Sequence, residues 1–368
     1  MNEAIPRRQF LGQAMLGGAA LSLATHVRAE PKKAPEFSLT VISGKPRERG
    51  RRYGERYKSD IRSMIDREIY KRLVKTTHPT REDLLRYAGA CAKEIKAFAP
   101  EIHDEMEGMA EGSNIRLEEL VLLNLHEEVT RGGALPKIEH CTAVAVGPGE
   151  GEKGDTFVGQ TWDWMESVRG LSNLLHWNRP EGASVLAYAY PGLWVGAGLN
   201  SAGVALVWTS AGGGSPRVGI PSYVLIAQML YRDSLKGALE EAKRGKHAGF
   251  FTFVLGDGEG NLVNVEGSPK DLVIEKSRGR MLRVGYGSCK MTNTPEGKTP
   301  PQHARCGVIQ RLFDKRKTPL NREAMEAAFA EKIVGGGCLD VMIFNTTKPE
   351  AYLGRGPAHT ARYQRFTL

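Results

Sequence analysis

Cys141 and Asp163 are the two residues whose types and spacing could carry acyl-transfer chemistry in this sequence. Cys141 opens an apolar run, Cys-Thr-Ala-Val-Ala-Val-Gly, that predicts a buried strand. A second predicted strand follows a glycine-rich turn and ends in Gln-Thr-Trp-Asp-Trp. A cysteine that becomes a new N-terminus offers its thiol as a nucleophile and its freed α-amine as a base. This chemistry would give a self-cleaved acyl-transfer site, with the cut between His140 and Cys141. A buried strand cysteine is the alternative interpretation of Cys141 on the residues alone.

Asp163 lies at the end of its predicted strand, between Trp162 and Trp164. A carboxylate flanked by large apolar rings either faces a polar partner or costs several kcal/mol to bury. This position favours a specific role close to the nucleophile. A solvent-facing loop aspartate is the alternative interpretation.

Motifs before and after Cys141 occur in an order that resembles a known family. The Cys-Thr pair, followed after a hairpin by Gly-Gln-x-Trp-Asp-Trp, resembles the penicillin acyltransferase family of self-cleaving N-terminal-nucleophile amide acylases. The other pieces are Gly44-Lys45-Pro46-x-x-x-Gly50, residues 100–112, residues 122–127, Gly256-Asp257-x-x-Gly260 with Glu266, Thr292-Asn293, Arg305 and Gly354-Arg355-Gly356-Pro357. The sequence departs from the family pattern at His140, where glycine is common, and at Thr294, where histidine is usual.

The resemblance implies a role for each matched residue. Asp163 would hold the α-amine of Cys141, and Asn293 would donate its side-chain amide to the oxyanion. Arg305 would point into the pocket, and Glu266 would be a structural carboxylate near the site. A turn-forming role for Asn293 beside a proline, and an exposed helix position for Arg305, stay open as alternatives.

The N-terminal residues 1–29 predict a twin-arginine export signal. Arg7 and Arg8 precede a mostly apolar run from Ala14 to Ala24, which is too short to span a bilayer of about 30 Å. We expect membrane contact only during export and a periplasmic or otherwise exported mature protein. Residues 30–140 would form a helical pro-segment or small chain, and residues 141–368 the catalytic large chain.

The composition restricts the kinds of partner, cofactor and substrate that we expect for this protein. The formal net charge is +9, but no nucleic-acid motif or aromatic interleaving accompanies it, so nucleic acid is not expected as a partner. The nine histidines show no metal-ligand spacing, and no cofactor is expected. A small-molecule amide or acyl compound is the expected substrate.

The five cysteines do not predict a disulfide framework in a chain of 368 residues. Cys91 and Cys306 lie on apolar helix faces and are predicted core residues. Cys289 and Cys338 fall in strand-like runs, and a bridge between them is left open.

The predicted secondary structure is mainly helical before Cys141 and mainly β-strand after it. Before it we expect a strand and helices, including a helix over residues 48–74. After it, strands alternate with helix pairs near residues 222–244 and 302–333. Strand blocks separated by helix pairs favour two packed sheets covered by helices, a four-layer αββα sandwich of the α+β class. The family resemblance implies the same fold, whereas the sequence alone predicts only mixed α and β with antiparallel sheets.

Two other functions fit parts of the pattern. A papain-like cysteine protease would use Cys141 with a distant histidine, but its nucleophile begins a helix, whereas Cys141 opens a strand. An exported binding domain that keeps the fold without self-cleavage is the non-enzymatic alternative.

Overall fold

Two β-sheets lie at the centre of the computed structural model, which describes residues 36–73, 80–131, 141–149, 154–209, 217–284, 303–316 and 319–368. Their strands are β1 Leu39–Ser43, β2 Thr142–Val146, β3 Phe157–Trp162, β4 Asn173–Asn178, β5 Val185–Tyr190, β6 Leu193–Asn200, β7 Ala205–Thr209, β8 Phe251–Gly256, β9 Leu262–Gly267, β10 Leu272–Ser277, β11 Arg280–Val284, β12 Asp340–Asn345, β13 Glu350–Arg355 and β14 Gln364–Thr367. The first sheet has the order β1-β4-β5-β6-β7-β8-β9-β10, and the second has the order β11-β2-β3-β12-β13-β14. The pairing of β1 with β4 is parallel, and the other described pairings are antiparallel.

The helices precede and interrupt these strands. They are α1 Pro46–Arg56, α2 Lys58–Met64, a π-helical segment Ile65–Leu73, α3 Arg81–Phe98, α4 Pro100–Ser113, α5 Leu117–Asn124, α6 His126–Arg131, α7 Ser222–Leu230, α8 Leu235–Arg244, α9 Ala304–Asp314, α10 Arg322–Ala330 and α11 Lys332–Gly335. The single helix predicted over residues 48–74 is therefore divided at Tyr57 into shorter helices. Within the described part of the chain, no helix has the length and apolar character that crossing a membrane requires.

The elements stack in four layers. A Cβ on Gly256 of β8 would lie 2.7 Å from Val158 of β3, so the two sheets pack face to face. Helix α7 is buried along its whole length and covers the first sheet at β6. A Cβ on Gly159 of β3 would lie 3.0 Å from Met325 of α10, which covers the second sheet. Strands such as β2 and β5 are consequently buried on both faces and read as continuous apolar runs. The predicted αββα sandwich is confirmed.

Glycines allow α1 and α4 to pack backbone against backbone. A Cβ on Gly50 would lie 2.0 Å from the carbonyl oxygen of Glu105, and Cβ atoms on Gly54, Gly108 and Gly112 would meet the opposing backbone at 2.0–2.3 Å. Because any larger side chain would separate the helices, these positions require glycine. The glycine motifs before Cys141 therefore have a packing function in this structure.

Residues 36–131 share a core with the strands that follow Cys141. Strand β1 pairs with β4 of the first sheet, and buried residues of α1 through α6 belong to the same hydrophobic cluster as that sheet. The boundary predicted between residues 140 and 141 falls beside residues 132–140, which lie outside the described chain, and it stays a prediction.

The cysteines differ from expectation in their bonding. Cys91 and Cys338 are buried with free thiols, and burial raises the pKa of Cys338 to about 12. Because Cys338 is free, a bridge from it to Cys289 is wrong, and Cys289 itself lies outside the described residues. Cys306 is buried as predicted, but it is disulfide-bonded, and its partner also lies outside the described residues.

Candidate active site

Strand pairing places the Cys141 thiol against the backbone of Asp163. Thr142, the first residue of β2, pairs with Thr161 of β3, so Cys141 lies beside the end of β3. The backbone N–H of Asp163 donates to Cys141 Sγ at 3.4 Å, and Sγ lies 3.6 Å from the Asp163 carbonyl oxygen. Cys141 is half-buried. The thiol is therefore held by main-chain contacts yet retains some exposure.

The Asp163 side chain is held by a hydroxyl and a guanidinium. Thr161 donates its Oγ1–H to Asp163 Oδ2 at 3.2 Å, and Arg305 Nη1 donates to the same oxygen at 3.1 Å. Both charged side chains are about 95% buried, at 4% and 5% exposed. A buried carboxylate that is paired and hydrogen-bonded satisfies the physical requirement that the sequence raised for this residue.

Arg305 reaches the site from the first turn of α9. The imidazole of His303 accepts the Arg305 backbone N–H at 3.2 Å and so caps this helix. The Arg305 guanidinium also donates to Oγ1 of Thr142, the residue after Cys141, at 3.2 Å. The structure thus brings Cys141, Asp163 and Arg305 together, while their chemical roles stay predictions.

Glu266 lies on β9 of the first sheet and contacts the strand that neighbours β2 in the second sheet. Its Oε1 is 3.4 Å from Arg283 Nε, an ion pair between β9 of the first sheet and β11 of the second. Arg283 pairs with Ala143 of β2, and the next residue, Val284, pairs with Thr142. Glu266 therefore fixes the strand alongside β2. His140 and Asn293 lie outside the described residues.

A complete hydrogen-bond network lies behind β3. Asp340 pairs with Trp162 across the β3–β12 ladder and is fully buried. It accepts bonds from Ser172 Oγ at 2.6 Å, Tyr188 Oη at 2.7 Å and Arg355 Nη1 at 3.1 Å. Burial raises the pKa of Asp340, and these donors oppose that change. The conspicuous Gly-Arg-Gly-Pro near the C-terminus thus supplies a structural arginine.

Aromatic residues around the thiol were not predicted from the sequence. Trp164 packs edge-on against Tyr190, with ring centres 4.8 Å apart, and against His126 of α6 at 5.5 Å. Burial raises the pKa of Tyr223 well above its usual range, and the nearby charges of Glu127 and the Cys141 thiolate add to this. The alternation of Tyr188 and Tyr190 along β5 was a visible signal, but the convergence of the aromatic residues depends on the sheet order.

One group of possible metal ligands occurs away from the thiol among the described residues. His103, Asp104 and Glu107 of α4 place ligand atoms within 4.8 Å of one another. Arg47 already donates to Glu107 Oε2 at 2.6 Å, and burial lowers the pKa of His103. A cation there would compete with the guanidinium, so this group does not form a built metal site.

Comparison with known proteins gives an informative sequence match. No family model matches the chain. The acyl-coenzyme A:6-aminopenicillanic-acid-acyltransferase 40 kDa form of Emericella nidulans is 24% identical over 282 residues, which cover 74% of this chain and 76% of that protein.

Two solved structures have weaker similarity. The Caenorhabditis elegans N-acylethanolamine-hydrolyzing acid amidase ortholog matches with a TM-score of 0.45 and 10% identity, over 62% of this chain and 100% of that one. Penicillin V acylase from Agrobacterium tumefaciens matches with a TM-score of 0.40 and 12% identity, over 62% of this chain and 86% of that one.

The sequence match and the ordered motifs lead to the same relationship. The curated relative is matched over about three quarters of both chains. The motif residues Cys141, Asp163 and Arg305 meet at one point of an αββα sandwich. The chain is therefore similar, in its sequence and in the order of its motifs, to the penicillin acyltransferase family of N-terminal-nucleophile hydrolases.

Proposed function

We propose that this protein is an exported amide hydrolase or acyltransferase that cleaves itself before Cys141 and then uses Cys141 as its nucleophile. The observation that carries the proposal is the Cys141 thiol against Asp163, whose carboxylate is paired with Arg305 at 3.1 Å. A small-molecule amide or thioester is the proposed substrate, and the matched relative is named as an acyltransferase for acyl-coenzyme A and 6-aminopenicillanic acid. No cofactor or metal takes part in the proposed reaction.

The first reaction creates the nucleophile. Cys141 Sγ attacks the carbonyl carbon of His140, and the bond from that carbon to the Cys141 nitrogen breaks as the acyl group moves from nitrogen to sulfur. Water then hydrolyses the thioester, which releases the His140 carboxylate and frees both the thiol and the α-amine. The products are a small chain of residues 30–140 and a large chain of residues 141–368.

The second reaction uses the freed amine as the base. The α-amine takes the thiol proton while Sγ adds to the substrate carbonyl, and Asn293 is the proposed donor to the resulting oxyanion. One such donor typically contributes about 2.7–4 kcal/mol of barrier lowering. The substrate C–N bond breaks, the amine leaves with the proton, and water or another amine resolves the Cys141 thioester.

Asp163 is the proposed holder of the α-amine. Its Oδ2 is engaged by Thr161 and Arg305, and this double contact fixes the carboxylate in one orientation. A fixed carboxylate beside a new N-terminus would orient the ammonium group and stabilise its charge after proton transfer. This proposed role explains why a carboxylate stands between two tryptophans.

Contacts across the proposed cut would keep the two chains together. Strand β1 pairs with β4, and Ser222 donates its backbone N–H and hydroxyl to Glu128, each at 2.7 Å. Export by the twin-arginine route is proposed from Arg7, Arg8 and the apolar run behind them. The disulfide at Cys306 supports an oxidising destination.

The intact mass of the purified exported protein tests this proposal. We expect two masses, for residues 30–140 and 141–368, and one uncleaved chain for Cys141→Ala because the attacking sulfur is gone. Cys91→Ala, which removes another free thiol, should still be cleaved. Cleavage of Cys141→Ala at the same bond would exclude self-processing. An intact wild-type chain with an unreactive Cys141 would favour the exported binding domain instead.

A further inference from the structure

Five aromatic side chains form a continuous cluster beside the nucleophile. We call it the aromatic wall, and it consists of Trp162, Trp164, Tyr190, Trp208 and Tyr223. Ring centres are 6.3 Å apart for Trp162 and Trp164, 4.8 Å for Trp164 and Tyr190, 6.1 Å for Trp162 and Trp208, and 5.2 Å for Trp208 and Tyr223. The rings meet edge-on or tilted, which is the geometry that aromatic quadrupoles favour.

The wall borders the Cys141 thiol. The main chain of Asp163 contacts Sγ, and two tryptophans of the wall are its neighbours in the sequence. The charge of the Cys141 thiolate also contributes to the raised pKa values of Tyr190 and Tyr223, after burial. A molecule bound at the thiol would therefore contact these rings.

The first sheet opens where the wall crosses it. The ladder between β6 and β7 contains two residue pairs, at Gly198 and Leu199 of β6. Past them, the backbone N–H of Trp208 donates instead to Gln160 Oε1 of the second sheet, at 2.8 Å. At this splay, Trp208 of the first sheet contacts Trp162 of the second sheet, at the end of β3.

Several polar groups in and beside the aromatic wall have no hydrogen-bond partner in the described part of the chain. The indole Nε1 atoms of Trp162, Trp164 and Trp208, the Gln160 Nε2 amide and the Tyr223 hydroxyl are buried and unpartnered among the described residues. Trp162, Trp208 and Tyr223 are only 3%, 4% and 2% exposed. An indole N–H can only donate, and each buried donor left unpaired costs about 1–3 kcal/mol.

We infer that the aromatic wall is the substrate pocket of the proposed enzyme, and that its substrate carries hydrogen-bond acceptors on a flat, apolar frame. This inference rests on the proposed function because it places the substrate at Cys141. Edge-on rings favour an aromatic or otherwise flat group. The unpaired donors select acceptors such as ring nitrogens, carbonyls or ethers over plain hydrocarbon, since a hydrocarbon would leave the same donors buried and unpaired.

Alkylating probes can test the acceptor preference without knowledge of the natural substrate. The probes are chloroacetamides with a 2-phenylethyl arm or one of the three isomeric pyridylethyl arms, which replace a ring C–H by an acceptor nitrogen. The second-order rate of Cys141 alkylation is measured by intact mass and peptide mapping, and is normalised to the rate with glutathione. We expect at least one pyridyl isomer to react about three- to tenfold faster than the phenyl probe, the factor that one hydrogen bond supplies.

Two variants remove individual donors while keeping an aromatic ring. In Tyr223→Phe or Trp208→Phe, the pyridyl-to-phenyl rate ratio should fall towards one. Tyr363→Phe is the matched control, because the Tyr363 hydroxyl is also buried without a partner in the described chain but packs against the second hydrophobic cluster. It should keep the wild-type ratio.

Each outcome separates this inference from the proposed function. Faster reaction of the phenyl probe than of all three isomers, a ratio unchanged in both donor variants, or no labelling by any arm would overturn the inference. If the protein is cleaved and hydrolyses amides but shows no preference for a pyridyl probe, the inference is wrong and the proposed function stands. If the protein is not cleaved but still prefers a pyridyl probe, the substrate pocket stands and the proposed self-cleaving enzyme is wrong.

Discussion

The five tryptophans of the chain are divided between two buried regions that treat their N–H groups differently. Where the helices meet the first sheet, Trp177 donates to Glu105 Oε1 at 3.1 Å and Trp194 donates to Tyr231 Oη at 3.3 Å. The three tryptophans of the aromatic wall have no acceptor among the described residues. In the first region the indole N–H groups thus have acceptors within the protein, whereas beside the Cys141 thiol they have none among the described residues.

The region of Trp177 and Trp194 contains an ionic cluster around Arg49 and Glu105, both fully buried. Arg49 Nε donates to Glu105 Oε1 at 3.1 Å, Arg49 Nη2 donates to Glu181 at 2.7 Å, and Tyr231 Oη donates to Glu105 at 2.6 Å. Burial raises the pKa of Glu105, and Arg49 opposes that change. In the ionic cluster the buried polar groups have partners within the protein and serve stability, whereas the unpartnered donors of the aromatic wall are the groups that we infer to bind the substrate.

Asp163→Asn should have the largest effect on activity. The substitution keeps the side-chain size but removes the charge that would orient the Cys141 α-amine, so we expect amide turnover to fall by about 10²–10⁴-fold. The measurement is amine release from whichever amide the wild type hydrolyses, per folded molecule. Asp340→Asn is the control, because its carboxylate belongs to a complete network and should affect stability more than turnover. Turnover by Asp163→Asn close to that of the wild type would remove Asp163 from the site.

Arg49→Met should damage stability and leave the chemistry intact. The variant leaves Glu105 buried without its cation, and removing one partner of a buried pair lowers the free energy of unfolding by about 3–5 kcal/mol. Urea unfolding measures the change. Arg47→Met is the control, since the Arg47 side chain is 50% exposed and its loss should change stability by less than about 1 kcal/mol.

Equal losses for the two arginine variants would contradict the assignment of Arg49 to a structural cluster. A lower rate of Cys141 alkylation in folded Arg49→Met would show that the two regions are coupled.

The local parts of the site could be predicted from the sequence. Cys141 and Asp163 belong to one hairpin, so the apolar alternation of β2 and β3 already placed them at adjacent strand ends. The Arg305 side chain required the family resemblance, because α9 comes from a remote part of the chain and only the fold brings it to Thr142.

The aromatic wall could not be predicted because it depends on sheet order. Its rings come from β3, the segment after β3, β5, β7 and α7, and the splay between β6 and β7 has no local sequence signal. Strands β4 and β14 also have weak local signals, because β4 is only partly buried and β14 is a short polar strand at the edge of its sheet. Tertiary packing decided these elements.

Glu128 combines features of both regions. On α6, its Oε1 accepts from the backbone N–H and hydroxyl of Ser222, whereas its Oε2 has no partner within the described chain. Burial raises its pKa to about 7, and the charge of neighbouring Glu127 adds to the effect. Tyr87, Cys91 and Tyr223 are the other titratable groups whose pKa values its charge raises.

Glu128 should make the protein less stable as the pH rises. A glutamate titrates near about 4.3 in the unfolded chain, so a folded pKa of about 7 means that the folded state binds the proton more tightly. The stabilising contribution is complete below the unfolded value and is lost progressively as the pH rises through the folded value. The total is on the order of 3 kcal/mol. Glu128→Gln should remove this loss between about pH 5 and about pH 8, as measured by urea unfolding.

The decisive quantity is the difference between wild type and Glu128→Gln at the two pH values, because other groups titrate in both proteins and cancel. Glu94→Gln on α3, which removes a surface pair with Lys246 at 2.9 Å, should keep the wild-type pH dependence. If Glu128→Gln loses as much stability with rising pH as the wild type does, the Glu128 carboxyl is not held protonated by burial. The Glu128 carboxylate would then be charged in the folded protein, like the paired carboxylates of the ionic cluster, and its Oε2 would have a hydrogen-bond partner.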